Sequence, residues 1–140
     1  MRATAVAHPN VALIKYWGKS DTERNLPATG SLSVTLGGLH TRTTIEFSEK
    51  LKQDQLLLDG KADAAADLRM VRCLDELRQH AGVSLFANVE SANDFPTGAG
   101  LASSASGFAA LTVAGAAALG LSLSPQELVR ISRLGSGSAP

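Results

Sequence analysis

The sequence predicts an α+β fold in which an antiparallel or mixed sheet carries helices on one face. Apolar and polar residues alternate through Ser31–Leu36 and Arg42–Phe47, the period of half-buried strands. From Ala64 to Ala81 the period changes: Leu68, Val71, Leu74 and Leu77 recur every three residues, while Arg69, Arg72, Asp75, Glu76 and Arg78 lie elsewhere on the cylinder, as in an amphipathic helix. The stretch Leu101–Leu119 is small or apolar almost throughout, as a buried helix requires.

The elements follow in chain order. Arg2–Tyr16 is rich in β-formers and broken at Pro9-Asn10, so two extended pieces are expected to begin the first strand pair. A polar loop covers Ser20–Asn25, the strand Ser31–Leu36 ends at Gly37-Gly38, and the Leu56–Leu58 run ends at the turn dipeptide Asp59-Gly60. The amphipathic helix stops near Gly82, a strand covers Ser84–Ser91, and a loop from Ala92 to Gly100 leads into the apolar helix. Ser124 as N-cap, Pro125 as first helical residue and Glu127 in the first turn start a third helix, which runs into Gly-Ser-Gly-Ser. No internal boundary divides residues 1–140, and the length suits one domain.

Composition excludes several functional classes. Thirteen basic residues balance thirteen acidic ones, so no overall field draws the chain to nucleic acid or to an anionic membrane, and phosphate binding must be local. No charge occurs between Gly98 and Pro125, long enough for the roughly 20 residues of a membrane span. That stretch opens Gly-Ala-Gly and carries five serines and Thr112, however, and reads as a buried helix of a soluble domain. The lone cysteine, Cys73, allows no internal disulfide, lies one turn from Met70 and Leu77, and fits core packing in a cytoplasmic protein without an export signal.

Two segments carry chemistry. Pro96-Thr97-Gly98-Ala99-Gly100-Leu101-Ala102-Ser103-Ser104-Ala105-Ser106 joins a strand to the apolar helix. Its glycines allow close backbone approach to an anion, the helix start offers unpaired N–H groups, and Ser103 and Ser104 add hydroxyls. A phosphate cradle and a plain glycine-rich helix entry both fit this stretch. A Walker A loop does not, since no lysine follows Lys61; nor does a dinucleotide fingerprint, whose sixth position is here Ser103. The second segment, Pro9–Lys19, places Lys15 and Lys19 four residues apart beside the only tyrosine and tryptophan, Tyr16 and Trp17, which suits a polyanion such as a diphosphate.

Ile14-Lys15-Tyr16-Trp17-Gly18-Lys19, then Leu26-Pro27, Ser31-Leu32-Ser33-Val34-Thr35-Leu36, and Asn93-Asp94-Phe95-Pro96-Thr97 leading into Gly100-Leu101-Ala102-Ser103-Ser104-Ala105, resemble the diphosphomevalonate decarboxylases of the GHMP kinase superfamily, in register from about Ala3 to Ala139. The resemblance implies the superfamily's N-terminal domain, with a ribosomal protein S5 domain 2-like fold, and ATP-dependent decarboxylation of 5-diphosphomevalonate to isopentenyl diphosphate. It implies substrate contacts from Lys15, Tyr16, Trp17, Gly18 and Lys19, from Ser31 and Ser33, from Arg69, and from Ser136, Gly137, Ser138 and Ala139. Asn10 matches an asparagine that orders the site. Pro96, Gly98, Ala99, Gly100, Leu101, Ala102, Ser103 and Ser104 would hold ATP and its magnesium.

For partners the resemblance implies a phosphorylated mevalonate substrate and leaves room for a homodimer of the full-length enzyme. Thr29-Gly30 stands where the family usually has Asn-Ser, which leaves the substrate open between diphosphomevalonate and a monophosphate relative. Pro140 stands where a cysteine would follow Ala139, the arginine expected next is absent, and the family's aspartate lies further on. The chain is therefore expected to be an N-terminal fragment that carries no catalytic residue of its own. A kinase of the same superfamily and a non-catalytic anion-binding domain are the competing readings.

Overall fold

Alternation at Thr41–Ser48 sends Thr41, Thr43, Ile45 and Phe47 inward and leaves Arg42 and Glu46 exposed, and the sheet is built around this strand. The structure, a computed structural model, describes residues 1–14, 18–62, 64–96 and 103–138, excepting the side chains of 64–67. In chain order these form β1 (Arg2–Ala7), β2 (Asn10–Ile14), β3 (Lys19–Asp21), β4 (Leu26–Pro27), β5 (Leu32–Thr35), β6 (Thr41–Ser48), β7 (Gln55–Leu58), β8 (Lys61–Ala62), α1 (Ala64–Ala81), β9 (Phe86–Asn93), α2 (Ser103–Ala118) and α3 (Pro125–Gly135).

A five-stranded sheet runs β1-β6-β9-β7-β8. β6 pairs antiparallel with β1 and β9, whereas β7 runs parallel to β9, so the sheet is mixed. The helices pack on its inward face, where Ile45, Phe47, Ala87 and Val89 meet Met70, Cys73, Leu74 and Leu77 of α1, Phe108, Leu111 and Ala114 of α2, and Ile131 of α3. The α+β class with helices on one face holds.

Several local readings change. β1 and β2 do not form the first strand pair: β1 joins β6 in the main sheet, while β2 pairs with β5 in a separate ribbon. Ser20–Asn25 is not simply a loop, because Lys19–Asp21 and Leu26–Pro27 form a small hairpin, with Asn25 in the left-handed region at φ 58°. β9 begins and ends two residues later than the alternation suggested, since its register with β6 carries the ladder from Phe86 to Asn93. On α1 the buried positions are Met70, Cys73, Leu74 and Leu77, and Leu68 is 75% exposed. Arg78, read as a polar-face residue, is buried because it answers the carboxylate of Asp54.

Other signals translate directly. Asp59 and Gly60 both take positive φ, 49° and 78°, as the two-residue turn joining β7 to β8 requires. Ser124 caps α3: its Oγ accepts from the Glu127 N–H at 3.3 Å, and the Glu127 carboxylate accepts from the Ser124 N–H at 2.7 Å. These Ser124 hydrogen bonds hold the Glu127 carboxyl below its ordinary value.

Cys73 is a core residue. Its thiol donates to the Ile131 carbonyl at 3.3 Å, and burial pushes it up to about 12 from an ordinary 9.0. The folded chain therefore keeps a proton that the unfolded chain releases above about pH 9. The stabilisation from this group is complete below that pH and falls toward pH 12 by up to about 1.4 kcal/mol per unit. Urea unfolding across that range should show a steeper alkaline loss for the native chain than for Cys73→Ala; equal slopes would refute this.

Candidate active site

The C-terminal end of α3 is where distant residues meet. Gly135 closes α3 and Ser136 caps it, and the last turn of this helix lies against α1 and α2. Arg69 of α1 donates from Nη1 to the Gly135 carbonyl at 3.3 Å, and its guanidinium lies 5.3 Å from the centroid of the Phe108 ring. Ser136 is buried; its N–H donates to the Ser132 carbonyl at 3.1 Å, and its hydroxyl lies 3.0 Å from that of Ser104 in the first turn of α2. A Cβ at Gly135 would fall 2.0 Å from Phe108 Cδ1, so this close approach requires glycine. Arg69, Ser104 and Ser136 are thereby brought together although α1, α2 and α3 separate them in sequence.

A cavity of 180 Å³ opens beside them, between the sheet, α1 and α2. Leu56, Leu58, Met70, Val89, Phe108 and Leu111 give it an apolar floor; Thr41, Thr43, Ser91, Asn93, Ser103 and Ser104 give it hydroxyl and amide groups. Among the described residues that line it, Arg69 is the charged one and none is a carboxylate. The donor set suits an anion with an apolar appendage. α2 adds the positive end of a helix dipole, with no acidic residue in its first turn. Among the described residues no group of three His, Cys, Asp or Glu side chains gathers to hold a metal.

The residues flanking the glycine-rich loop are tied to each other. Thr41 Oγ1 donates to Asn93 Oδ1 at 2.5 Å and lies 2.7 Å from the Ser106 hydroxyl, which is 3.1 Å from the Ser103 carbonyl. With the Thr41 proton given to Asn93, Ser106 has one proton to share between Thr41 and that carbonyl. Asp94 accepts from the His40 N–H at 2.7 Å and sits 2.7 Å from His40 Nδ1, fixing the chain just before Phe95 and Pro96. A strand thus leads into the loop and a helix leaves it. Thr97–Ala102, including Gly98, Ala99, Gly100, Leu101 and Ala102, lies outside the described residues.

Asn93 and Asp94 belong to the motif singled out in the sequence and Ser106 ends the expected phosphate loop, yet the sequence assigns no anchoring role to these three, nor to Thr41 or His40. An alternating strand gives no hint of which hydroxyl will reach a loop anchor. The only signal was the placement of Asn93-Asp94 just before the glycines.

The remaining candidates divide. Lys15, Tyr16, Trp17 and Ala139 lie outside the described residues. Gly18 takes φ 74°, a conformation that favours glycine, and its carbonyl accepts from the Ala28 N–H at 3.3 Å. Lys19 opens the β3–β4 hairpin, which is fastened to α3: Asn25 Nδ2 donates to the Arg133 carbonyl at 2.9 Å, and Arg133 Nη2 donates to the Asn25 carbonyl at 3.0 Å. The hairpin carrying Lys19 and the arginine at Arg69 therefore both attach to α3, at successive points. Asn10 and Ser33 lie on the β2–β5 ribbon, opposite Thr35 and Ala12, and Ser31 is exposed just before it. Gly137 and Ser138 continue from Ser136 as a turn.

A larger groove of 440 Å³ lies where the hairpin meets α1 and α3. It mixes Arg24, His80 and Arg130 with Glu76 and Glu127, and the Glu127 carboxylate is already engaged at the α3 cap. None of the candidate substrate- or nucleotide-binding residues is among the described residues that line it.

Along nearly its whole length the chain is similar to known proteins. The family model for the diphosphomevalonate decarboxylase-like N-terminal domain matches residues 7–140. A diphosphomevalonate decarboxylase of Aspergillus fumigatus is 47% identical over 154 residues, covering 99% of this chain and 38% of the relative. A phosphomevalonate decarboxylase of Haloferax volcanii is 41% identical, covering 99% of this chain and 43% of the relative. The solved mevalonate diphosphate decarboxylase of Enterococcus faecalis, described for its mevalonate diphosphate mediated ATP binding, is 48% identical with a TM-score of 0.88 and covers 99% of this chain and 44% of that one. The chain thus spans about two fifths of the length of these relatives.

Proposed function

Because the chain belongs to the family of diphosphomevalonate decarboxylases, through their N-terminal domain, we propose that it supplies the phosphate-holding part of an ATP-dependent decarboxylation of 5-diphosphomevalonate to isopentenyl diphosphate. The observation that carries this reading is the meeting of Arg69, Ser104 and Ser136 beside a cavity whose described lining residues include Arg69 and no carboxylate.

ATP with magnesium, when bound, supplies the phosphoryl group that turns the tertiary 3-hydroxyl into a leaving group, after which phosphate and carbon dioxide depart. The chain's own residues position and neutralise charge, which is most of what phosphoryl transfer asks of a protein. Arg69, with Lys15 and Lys19, binds the phosphate end of the substrate. Its guanidinium is held over Phe108 and against the Gly135 carbonyl, so little orientation is lost on binding. Ser103 and Ser104, at the start of α2, serve the nucleotide side together with the glycine-rich loop, whose two ends are held by Asp94–His40 and by Asn93–Thr41–Ser106. The apolar floor keeps water from the carbon that loses carboxylate. The same reading places the chain in the cytoplasm, with the buried thiol of Cys73 in support; among the described residues no helix is long and apolar enough to cross a membrane.

The chain alone is expected to bind without turnover. The resemblance implies that the family's carboxylate near the reacting hydroxyl lies outside the matched residues, and losing such a group costs about 10² to 10⁴ in rate. Incubation with 5-diphosphomevalonate, ATP and magnesium should release no carbon dioxide above a control without protein, whereas joining the chain to the unmatched part of the Enterococcus relative should restore release. Robust turnover by the chain alone, or none by the joined protein once folded, would contradict the proposal. Thr29-Gly30 and the Haloferax relative favour a second reading, a substrate with one phosphate. Release from 5-phosphomevalonate rather than 5-diphosphomevalonate by the joined protein would select it.

A further inference from the structure

Two carbonyls at the C-terminal end of α3 hold two separate parts of the chain. The last carbonyls of a helix have no partner within it. In α3, that of Gly135 accepts from Arg69 Nη1 at 3.3 Å and that of Arg133 from Asn25 Nδ2 at 2.9 Å. Arg133 and Gly135 stand about 3 Å apart along an ideal helix axis and about 200° around it, so α1 and the β3–β4 hairpin are fastened to different sides of one turn. The hold on the hairpin is reciprocal, since Arg133, only 8% exposed, donates from Nη2 to the Asn25 carbonyl at 3.0 Å. Asn25 lies in the hairpin turn at φ 58°, a conformation that asparagine tolerates better than most residues, and from there its amide and its carbonyl both reach α3. The other amide atom, Oδ1, is buried with no hydrogen-bond partner among the described residues, a cost of the same order as the two bonds return. The clasp therefore adds little net stability; what it supplies is geometry.

The hairpin depends on such a fastening. Among the described residues it is a two-stranded sheet of its own, and Leu26 lines the groove at α3 with Ile131 and Leu134, an apolar contact that by itself sets no register. Inside the hairpin the Arg24 N–H donates to Asp21 Oδ1 at 3.0 Å, Ser20 Oγ to the Pro27 carbonyl at 3.1 Å, and the Ala28 N–H to the Gly18 carbonyl at 3.3 Å. Fixing the turn at Asn25 thus fixes the strand that Lys19 opens. Resting on the reading of Lys19 and Arg69 as cations that share one diphosphate, we propose that Asn25 and Arg133 are positioning residues that set the span between the two. A diphosphate meets both cations together only at a matching span, and a lysine on an unfastened hairpin would have to be ordered at each binding event.

Asn25→Gly keeps the left-handed turn and removes the Nδ2 donor. Without ligand it should speed amide exchange in Lys19–Asp21 by about tenfold or more, leave β6 and β9 within about twofold, and keep the urea midpoint within about 0.5 M of the native chain. In calorimetric titration it should weaken binding of 5-diphosphomevalonate by about 5- to 10-fold. Lys19→Met should itself weaken binding by about tenfold or more, and Asn25→Gly added to it should cost less than about twofold further, because no cation is then left to position. A general structural defect would lower affinity equally in both backgrounds, so equal losses overturn the proposal, as does unchanged hairpin exchange. Arg133→Lys keeps the charge and loses the fork that reaches the Asn25 carbonyl; it should show the same faster exchange and the same non-additivity with Lys19→Met, and it carries the test if Asn25→Gly does not fold. If the native chain takes up no 5-diphosphomevalonate, the substrate reading fails and exchange alone decides: faster hairpin exchange in either variant keeps the clasp as what fixes Lys19, and unchanged exchange removes it.

Discussion

Replacing Arg69 by alanine is expected to weaken binding of 5-diphosphomevalonate by roughly 30- to 150-fold, the equivalent of about 2 to 3 kcal/mol for a charge-assisted contact to phosphate. Arg69 is exposed enough to meet a ligand, yet its guanidinium is held in place by the Gly135 carbonyl and the Phe108 ring. A lysine keeps the charge but loses the planar fork and the stacking, so Arg69→Lys should recover only part of the affinity. Calorimetric titration of the three proteins checks this. Because the contact with Gly135 is long and near solvent, the stability of Arg69→Ala should fall by no more than about 1 kcal/mol. A large loss of stability with unchanged affinity would make Arg69 a structural residue and remove the main support for the site.

Replacing Asp54 by alanine is expected to cost about 3 to 5 kcal/mol of folding stability, against the roughly 5 to 15 kcal/mol that a domain has in all. Arg78 Nη2 meets the Asp54 carboxylate in a close ion pair whose side chains are 11% and 8% exposed. Arg78 also donates from Nε to the Leu85 carbonyl at 2.6 Å and from Nη1 to Asp75 at 2.8 Å, and Asp54 accepts from the Ala87 N–H at 2.8 Å. The pair thus ties the loop before β7, the end of α1 and the start of β9. Removing the carboxylate leaves a largely buried guanidinium with only half-exposed Asp75 to balance it. Asp54→Ala combined with Arg78→Met should lose clearly less than the two single changes added together, since no charge is then stranded. Additive losses in urea unfolding would contradict this account.

How much was legible in the sequence follows from the range of each interaction. Signals that act within a few residues were readable: the Ser124–Glu127 cap, the Asp59-Gly60 turn and the alternation of β6 all depend on neighbours in the chain. Assignments that depend on distant partners were not. β1 and β2 look alike as extended pieces, and only pairing with β6 or β5 sends them to different sheets. On α1 the same limit shows at one position: Leu68 fits the three-residue period with Leu74 and Leu77, but the sheet and the other helices lie over Met70, Cys73, Leu74 and Leu77 and leave Leu68 exposed.

At the site, Arg69 and Ser136 came from resemblance, and periodicity would have left both on a solvated surface. What brings them together is the glycine at 135, whose missing side chain admits Phe108. The ion pair of Arg78 was hidden because nothing local distinguishes a buried arginine on a helix from an exposed one.

Binding of the phosphate groups of a mevalonate-derived substrate by this chain is open to one fluorescence titration. Trp17 is the only tryptophan and belongs to the run expected to meet the substrate, so its emission reports on that run alone. Adding 5-diphosphomevalonate to the unmodified chain should change the emission saturably, while mevalonate, which has the same carbon skeleton and no phosphate, should produce no saturable change at the same concentrations. An equal response to both compounds, or none to either, would contradict the account.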